Sequence, residues 1–452
     1  MEQPAGESHQ SFHPRAREFV EPDWRRLPGF QDVTPAEWND ARWQRANSAA
    51  SVAALKKVFG PFLSDGLAAD IQRDQHERAT MSLLIPPQML NTMDEHGLVE
   101  DPVRRYTVPA ARDRHADWPT HPLAARDPLA ESAMMPVRGL THRYPNKVLV
   151  EIVTTCPQYC GHCTRMDLVG PSTPQITKVK LAGRPRDRLT DILDYLRRTP
   201  SIRDVVVSGG DIANAPIARL EWFVGELLGI PSIRDIRLAS KSLVALPQHF
   251  LQSDVFAAIQ RMGRAARSAG VDIAVHTHAN HARQITPLVA RATASLFEAG
   301  FRDVRNQGVL LRGVNDTAED LLDLCLTMLD RARIMPYYFY MCDMIPASEH
   351  WRTPLWQAQR LQHEIMGFLP GFATPRVVCD VPLAGKMWVH QADRYDRVRG
   401  VSYWSKPYRT SIERDDPSAD ERSYAYYDPI DTLPAEGQEW WLEQAQQWSS
   451  AR

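Results

Sequence analysis

The sequence predicts an α/β fold: a partial (β/α)6 parallel barrel with a helical N-terminal region and a C-terminal extension. Three observations carry this. From residue 148 onward, short apolar runs alternate with helix-length amphipathic segments, the pattern of βαβ units in a parallel sheet. Before about residue 138 the periodicity is helical, with no strand-like alternation. The chain has 452 residues, two to three times an ordinary domain and suited to a barrel with additions. Spacing alone also admits an open doubly wound sheet, but an incomplete barrel fits six strands better.

Residues 1–30 mix proline, glycine and charge without periodicity and read as a flexible or draped arm. Residues 31–138 form the helical region. Val33-Thr34-Pro35 reads as a cap with proline at the first helical position, opening a helix over 36–51. Shorter amphipathic runs cover 53–62 and 83–93, and the Pro-, Asp- and Arg-rich stretch 102–126 reads as a linker. The barrel, 139–375, begins with a strand over 148–154. Leu189, Ile192, Leu193 and Leu196 then recur at i, i+3, i+4 and i+7, one apolar face of a helix. Strands at 204–208, 236–240, 271–277, 304–311 and 336–342 alternate with helices near 220–227, 249–268, 287–299 and 317–332. The segment 376–452 follows, with an amphipathic tail stretch that reads as a docked helix. Chemistry in a parallel barrel sits at the carboxyl ends of the strands. That rule selects Cys156 onward, Ser208–Asp211, Ser240–Ser242, His276–His281, Gln307–Asn315 and Asp343.

Composition narrows the function classes. Lys and Arg total 53 against 55 Asp and Glu, a formal charge of −2, which excludes a broad electrostatic footprint for nucleic acid or an anionic membrane. An apolar share of 43% with 12 Trp argues against global disorder. No apolar run reaches the length of a membrane span, and the polar start lacks a secretory h-region. The expectation is a cytoplasmic protein with reduced cysteines.

Of six cysteines, three fall within eight residues: Cys156, Cys160 and Cys163 in CPQYCGHC, directly after the first strand. Thiolates so spaced can converge on one metal centre. Three ligands on a four-iron cluster would leave one iron open to a substrate or cofactor. The alternatives are structural zinc, with His162 as fourth ligand, and chance spacing. Cys325, Cys342 and Cys379 lie in apolar surroundings and read as packing.

The segments THRYPNKVLVEIVTTCPQYCGHCTR, VVVSGGD, NQGVLLRGVND, PYYFYMCD and EHWRTP occur in order. With them the chain resembles the lysine 2,3-aminomutase family of the radical S-adenosylmethionine superfamily, from near Gly29 to about Tyr395. The resemblance implies that Cys156, Cys160 and Cys163 hold a 4Fe-4S cluster whose open iron chelates S-adenosylmethionine. It gives Ser208, Gly209, Gly210 and Asp211 to the loop that reads the methionine amino group, and His278 and Gln307 to the cofactor pocket. Lys386 in DVPLAGKMWV matches the lysine that carries pyridoxal 5′-phosphate. Desolvation in its apolar segment is expected to depress its pKa. Arg143 matches an arginine that holds the cofactor phosphate, and Lys147 stands where a second arginine is usual.

For the substrate, Arg165 matches the arginine that pairs with the amino acid's carboxylate, and Asp343 and Asp380 match two aspartates that grip a distal ammonium. Two carboxylates facing one pocket call for a cation between them, hence a basic amino acid, lysine first, and not glutamate. The implied activity is that of an isomerase, a 2,3-aminomutase that moves the α-amino group to the β-carbon. The implied partners are the amino acid, a one-electron reductant such as flavodoxin or ferredoxin, and further copies of the chain in a homo-oligomer. A second reading keeps the radical machinery but acts on a different or protein-bound amino acid in a biosynthetic pathway. A third, of another class, is a non-catalytic metal-binding protein, against which the joint presence of Lys386, Arg165 and both aspartates speaks. The sequence also departs from the family. The glycine run before the lysine is replaced by DVPLAGK; Thr317 stands where well-known members of the family have one cysteine of a separate structural zinc site, and no cysteine follows Cys379. A basic insertion follows Gly170.

Overall fold

The computed structural model describes residue 15 and residues 17–115 and 117–450. Most of the expected N-terminal arm before Arg17 lies outside the described residues. From Arg17 the chain is anchored: Arg17 pairs with Asp323 at 2.6 Å, and Leu27 and Phe30 are buried.

One nine-stranded sheet organises the molecule. Its strands, in both chain and spatial order, are β1 (Leu140–Tyr144), β2 (Lys147–Val153), β3 (Asp204–Gly209), β4 (Asp235–Ala239), β5 (Asp272–Thr277), β6 (Asp303–Leu310), β7 (Met335–Met341), β8 (Arg376–Val381) and β9 (Gly385–Trp388). β2 to β8 run parallel, and β1 and β9 are antiparallel edges. The six expected strands are β2 to β7. The helices Pro185–Arg198, Ile217–Leu228, Ser253–Ala269, Pro287–Glu298, Ala318–Ala332 and Leu355–Ile365 fill the crossovers between consecutive parallel strands. Each turns an apolar stripe to the sheet; in the first, Leu189, Ile192, Leu193 and Leu196 are all buried, as their spacing requires.

The edge strands do not pair with each other, so the barrel is open at one seam. Side chains bridge that seam. Tyr144, at the end of β1, accepts a hydrogen bond from the Lys386 backbone N–H of β9 at 3.0 Å, and Arg143 reaches Asp380 of β8 at 2.7 Å.

Three expectations in the helical region are corrected. The helix over 36–51 is two short ones, Pro35–Trp38 and Ala41–Ala46, because Asp40 caps the second by accepting from Arg42 N. Over 83–93 only Pro87–Leu90 is helical. Pro86 and Pro87 lack N–H groups, and Ile85 instead bridges Ala49. The supposed linker 102–126 opens with a helix, Pro102–Thr107, and is tied down by buried Arg104 on Asp113 at 2.5 Å.

Beyond β9 a second sheet forms from β10 (Arg394–Asp396), β11 (Val401–Trp404) and β12 (Tyr424–Tyr427), all antiparallel. The tail helix Ala435–Ser450 docks on it through Trp441, buried with Val401, Ile430 and Leu433. Among the described residues no helix is long and apolar enough to cross a membrane.

Candidate active site

A cleft opens at the carboxyl ends of the parallel strands and runs into the barrel, and every residue singled out for the site lines it: Arg143, the three clustered cysteines, Arg165, Ser208–Asp211, His278, Gln307, Asp343, Asp380 and Lys386, with Lys147 at the amino end of β2. The carboxyl ends of β2 to β7 all contribute to this cleft.

The cysteine loop and the Gly-Gly loop are built against each other. Gly210 N donates to Val153 O at 2.6 Å and Asp211 N to Thr155 O at 3.1 Å, fixing the backbone that leads into Cys156. Gly209 has φ +97°, and a Cβ on Gly210 would collide with the Thr155 carbonyl oxygen. Gly210→Ala must therefore prise the two loops apart. It is expected to cost about 1–3 kcal/mol, read as a lower thermal midpoint. An unchanged midpoint would show that the loops can yield. Asp211, expected at the methionine amino group, has both oxygens occupied. They accept from Ser240 Oγ (2.7 Å), Ala213 N (2.9 Å) and the N and Oγ of Ser242 (2.9 Å each), so this carboxylate braces the loops after β3 and β4.

Burial pushes all three thiols up, Cys163 to about 11, and the neighbouring cysteines add to the shifts of Cys156 and Cys163. Lys241 lies beside Cys160 and Tyr106; burial lowers its ammonium, but Cys160 and Tyr106 outweigh that and hold it up. His278 Nδ1 faces the Gln307 carbonyl at 2.7 Å, so that nitrogen carries the proton. Its Nε2 lies 3.1 Å from His162 Nε2. Burial pulls His162 down to about 3 and His278 well below its usual value, leaving both neutral. Cys160, His162 and His278 each offer a ligand atom within 4.8 Å of the others.

At the seam, Asp380 Oδ1 accepts from Arg143 Nη1 at 2.7 Å, and its Oδ2 is 3.6 Å from Lys386 Nζ. Burial raises the Asp380 carboxyl, but Lys386 and Arg143 outweigh it and keep it low. Asp343 moves oppositely, to about 7, through burial and the charge on Asp380, with Thr164 Oγ1 donating to it. Lys386 corrects an expectation. Burial lowers its ammonium, yet Tyr144, Tyr340 and Asp380 outweigh that, and its pKa is raised, not depressed. Arg165 Nη2 donates to Glu131 at 2.8 Å. Glu131, Lys241 and Tyr144 also line the cleft, and the sequence does not single them out individually. Lys241 lies inside a selected strand end and Tyr144 inside the THRYPNK segment at the end of β1, whereas Glu131 precedes the sheet and carries no signal.

No family model matches the chain. It is 34% identical to the L-lysine 2,3-aminomutase of Clostridium subterminale over 80% of each chain. It is 33% identical to that of Fusobacterium nucleatum over 79% of this chain and 77% of the relative. Against the glutamate 2,3-aminomutase of Clostridioides difficile the identity is 26%, over 80% and 78%. Likeness of this extent to proteins so named, over a cleft that unites all the motifs, makes this chain an isomerase of the aminomutase kind and a member of the lysine 2,3-aminomutase family.

Proposed function

We propose that the protein is a radical S-adenosylmethionine, pyridoxal 5′-phosphate-dependent 2,3-aminomutase that moves the α-amino group of a basic L-amino acid, lysine first, to the β-carbon. The observation that carries the substrate is the carboxylate pair of half-buried Asp343 and buried Asp380 in the same cleft as Arg165, an arrangement that suits one cation and one carboxylate on a single ligand. The relatives named above support lysine over glutamate by their higher identity.

The cleft's chemistry fits the cofactors. Three thiols, with the nearby Asp211 carboxylate already committed to Ser240, Ala213 and Ser242, suit iron and sulfide, not a hard cation. Thr141 Oγ1, Arg143 Nε, His162 Nδ1, Arg165 Nε and Thr277 Oγ1 line the cleft buried and without a partner, a polar lining suited to polar ligands. In this reading Cys156, Cys160 and Cys163 would hold the cluster. Ser208, the backbone of Gly209 and Gly210, His278 and Gln307 would hold S-adenosylmethionine. Lys386, Arg143 and Lys147 would hold pyridoxal 5′-phosphate. When bound, these groups supply hydrogen abstraction and stabilisation of an unpaired electron.

The chain's own residues supply position and dryness. Glu131 holds one arm of the Arg165 guanidinium and leaves Nε for a carboxylate. Thr164 orients Asp343. Leu129, Val309 and Met341 give the cleft apolar walls that exclude water. The reading further requires a one-electron reductant of the flavodoxin or ferredoxin class, and we expect a homo-oligomer.

The test is to incubate the anaerobic, cofactor-loaded, reduced protein separately with lysine, arginine, ornithine and glutamate. The expected result is a β-amino product from lysine or another basic amino acid and none from glutamate, read by chromatography and mass. Product from glutamate alone, or from none of the four, overturns the reading.

A further inference from the structure

The tail segment after β11 does more than cover the barrel. The turn between β8 and β9, Pro382-Leu383-Ala384, brings the chain from Asp380 to Lys386 in a tight hairpin, with Val381 paired to Gly385. Leu383 stands at φ +62°, a left-handed conformation that costs a branched residue energy and persists only where its surroundings hold it. Two donors from the tail do so. Lys406 Nζ donates to the Leu383 carbonyl at 2.7 Å, and Tyr408 Oη donates to the Ala384 carbonyl at 2.5 Å. Gly385, at φ +100°, sits so close under Tyr144 and Tyr408 that a Cβ there would lie 2.7 and 2.9 Å from their hydroxyl oxygens.

Lys406 is itself fixed. Its side chain is fully buried and paired with Glu413 at 2.5 Å. Glu413 also accepts from Thr410 N (3.0 Å), Thr410 Oγ1 (2.6 Å) and Tyr424 Oη (2.6 Å). A buried ammonium is retained where it is paired and hydrogen-bonded, and here it also donates to the backbone of the turn that precedes Lys386. The tyrosine on the other side of the turn, Tyr144, accepts the Lys386 N–H. The turn is thus held at three sites, Leu383, Ala384 and Lys386, the first two by the tail and the third by the β1 edge of the open seam.

We propose that the segment 406–424 is a positioning clamp for Lys386, with Lys406 and Tyr408 as positioning residues that set where the lysine presents its amine. This rests on the reading that Lys386 carries pyridoxal 5′-phosphate. The clamp supplies by tertiary contact the conformation that a glycine-rich approach would reach by backbone freedom.

The test uses the full-length protein and pyridoxal 5′-phosphate as the probe. Tyr408→Phe removes one donor with little change of shape. Lys406→Met removes the other, and Lys406→Arg keeps charge and donors. The readouts are the affinity for pyridoxal 5′-phosphate and the pH midpoint of its bound visible absorption. Iron content after cluster reconstitution reports whether the cysteine end of the cleft is intact. Tyr408→Phe is expected to weaken retention about fivefold to tenfold, as loss of one well-formed hydrogen bond implies. It should also displace the pH midpoint while iron content stays at the wild-type value. Lys406→Met is expected to do more, with recovery in Lys406→Arg. If Lys406→Met fails to fold, Tyr408→Phe decides alone. Absorption lost in Lys386→Ala but unmoved in affinity and midpoint by the tail variants overturns the clamp alone. Absorption that survives Lys386→Ala overturns the assignment of the lysine and the clamp with it.

Discussion

Replacing Cys160 by alanine is expected to leave a folded protein that retains no stable cluster and forms no β-amino product, a loss of at least about 10³-fold in rate. Most of the barrier in radical chemistry is lowered by the cofactor, so there is no partial activity for the protein to fall back on. The same is expected of Cys156→Ala and Cys163→Ala, whereas Cys325→Ala, whose thiol is buried among apolar residues of the core, should change stability and leave iron content intact. The thiols are pushed up by burial, Cys163 to about 11, so the metal-free triad is protonated at neutral pH and must release protons to bind metal. Cluster uptake should therefore become more favourable as pH rises. Metal analysis of the anaerobically reconstituted protein checks this: about four irons per chain are expected. One zinc per chain with no iron would sink the radical reading and favour a zinc site that recruits His162, which lies with Cys160 and His278 within 4.8 Å.

What could be read in the sequence follows a physical division. Strands in a parallel sheet read as short apolar runs, and β2, β3, β5 and β7 carry one; β4 and β6 alternate buried with half-buried residues and are marked by their spacing between helices. β8 carries the same signal in RVVCDV, but it follows a stretch without strand spacing and was absorbed into the C-terminal segment. β1 and β9 are edges, with polar and charged residues such as Thr141, His142, Arg143 and Lys386 that argue against strand by composition. They are also where the seam places Arg143 and Lys386 together. The motif residues were found because each belongs to a local run at a strand end. Their partners were not, because an ion pair such as Glu131 with Arg165 joins positions 34 apart in the chain, and nothing in either neighbourhood marks the other. Thr164 is the exception, lying between two assigned residues, and its bond to Asp343 spans 179 positions. The pKa of Lys386 shows the same limit. An apolar neighbourhood in sequence suggested desolvation, whereas Tyr144 and Tyr340 arrive from other strands and reverse the sign.

For lysine as substrate, kcat/KM should climb with pH through about 7 and then level off, and Asp343→Asn should abolish that climb. The sign follows from the pair. Burial and the charge on Asp380 raise Asp343 to about 7 from an ordinary 3.8, so below pH 7 it is largely protonated and offers the distal ammonium no charge. Above that pH both carboxylates are ionised, and an incoming ammonium relieves their repulsion. The dependence on pH of kcat/KM reports groups of the free enzyme, which is where this pKa belongs. Stability runs the other way: because the folded protein holds this proton more tightly than the unfolded chain, the contribution is present below about pH 4 and lost as pH rises through 7. Asp343→Asn should lower kcat/KM for lysine about 10²–10³-fold, the scale of removing one partner from a buried charged contact. Asp380→Asn should cost more, because Asp380 also neutralises Arg143 and Lys386, and its loss leaves two cations facing each other across the seam. That repulsion should draw the Lys386 pKa down from its raised position and loosen the contact between β1 and β8, read as a lower thermal midpoint. If Asp343→Asn and Asp380→Asn both turn over lysine at the wild-type kcat/KM with an unchanged pH profile, the carboxylate pair does not hold the substrate ammonium, and its burial beside Arg143 is structural.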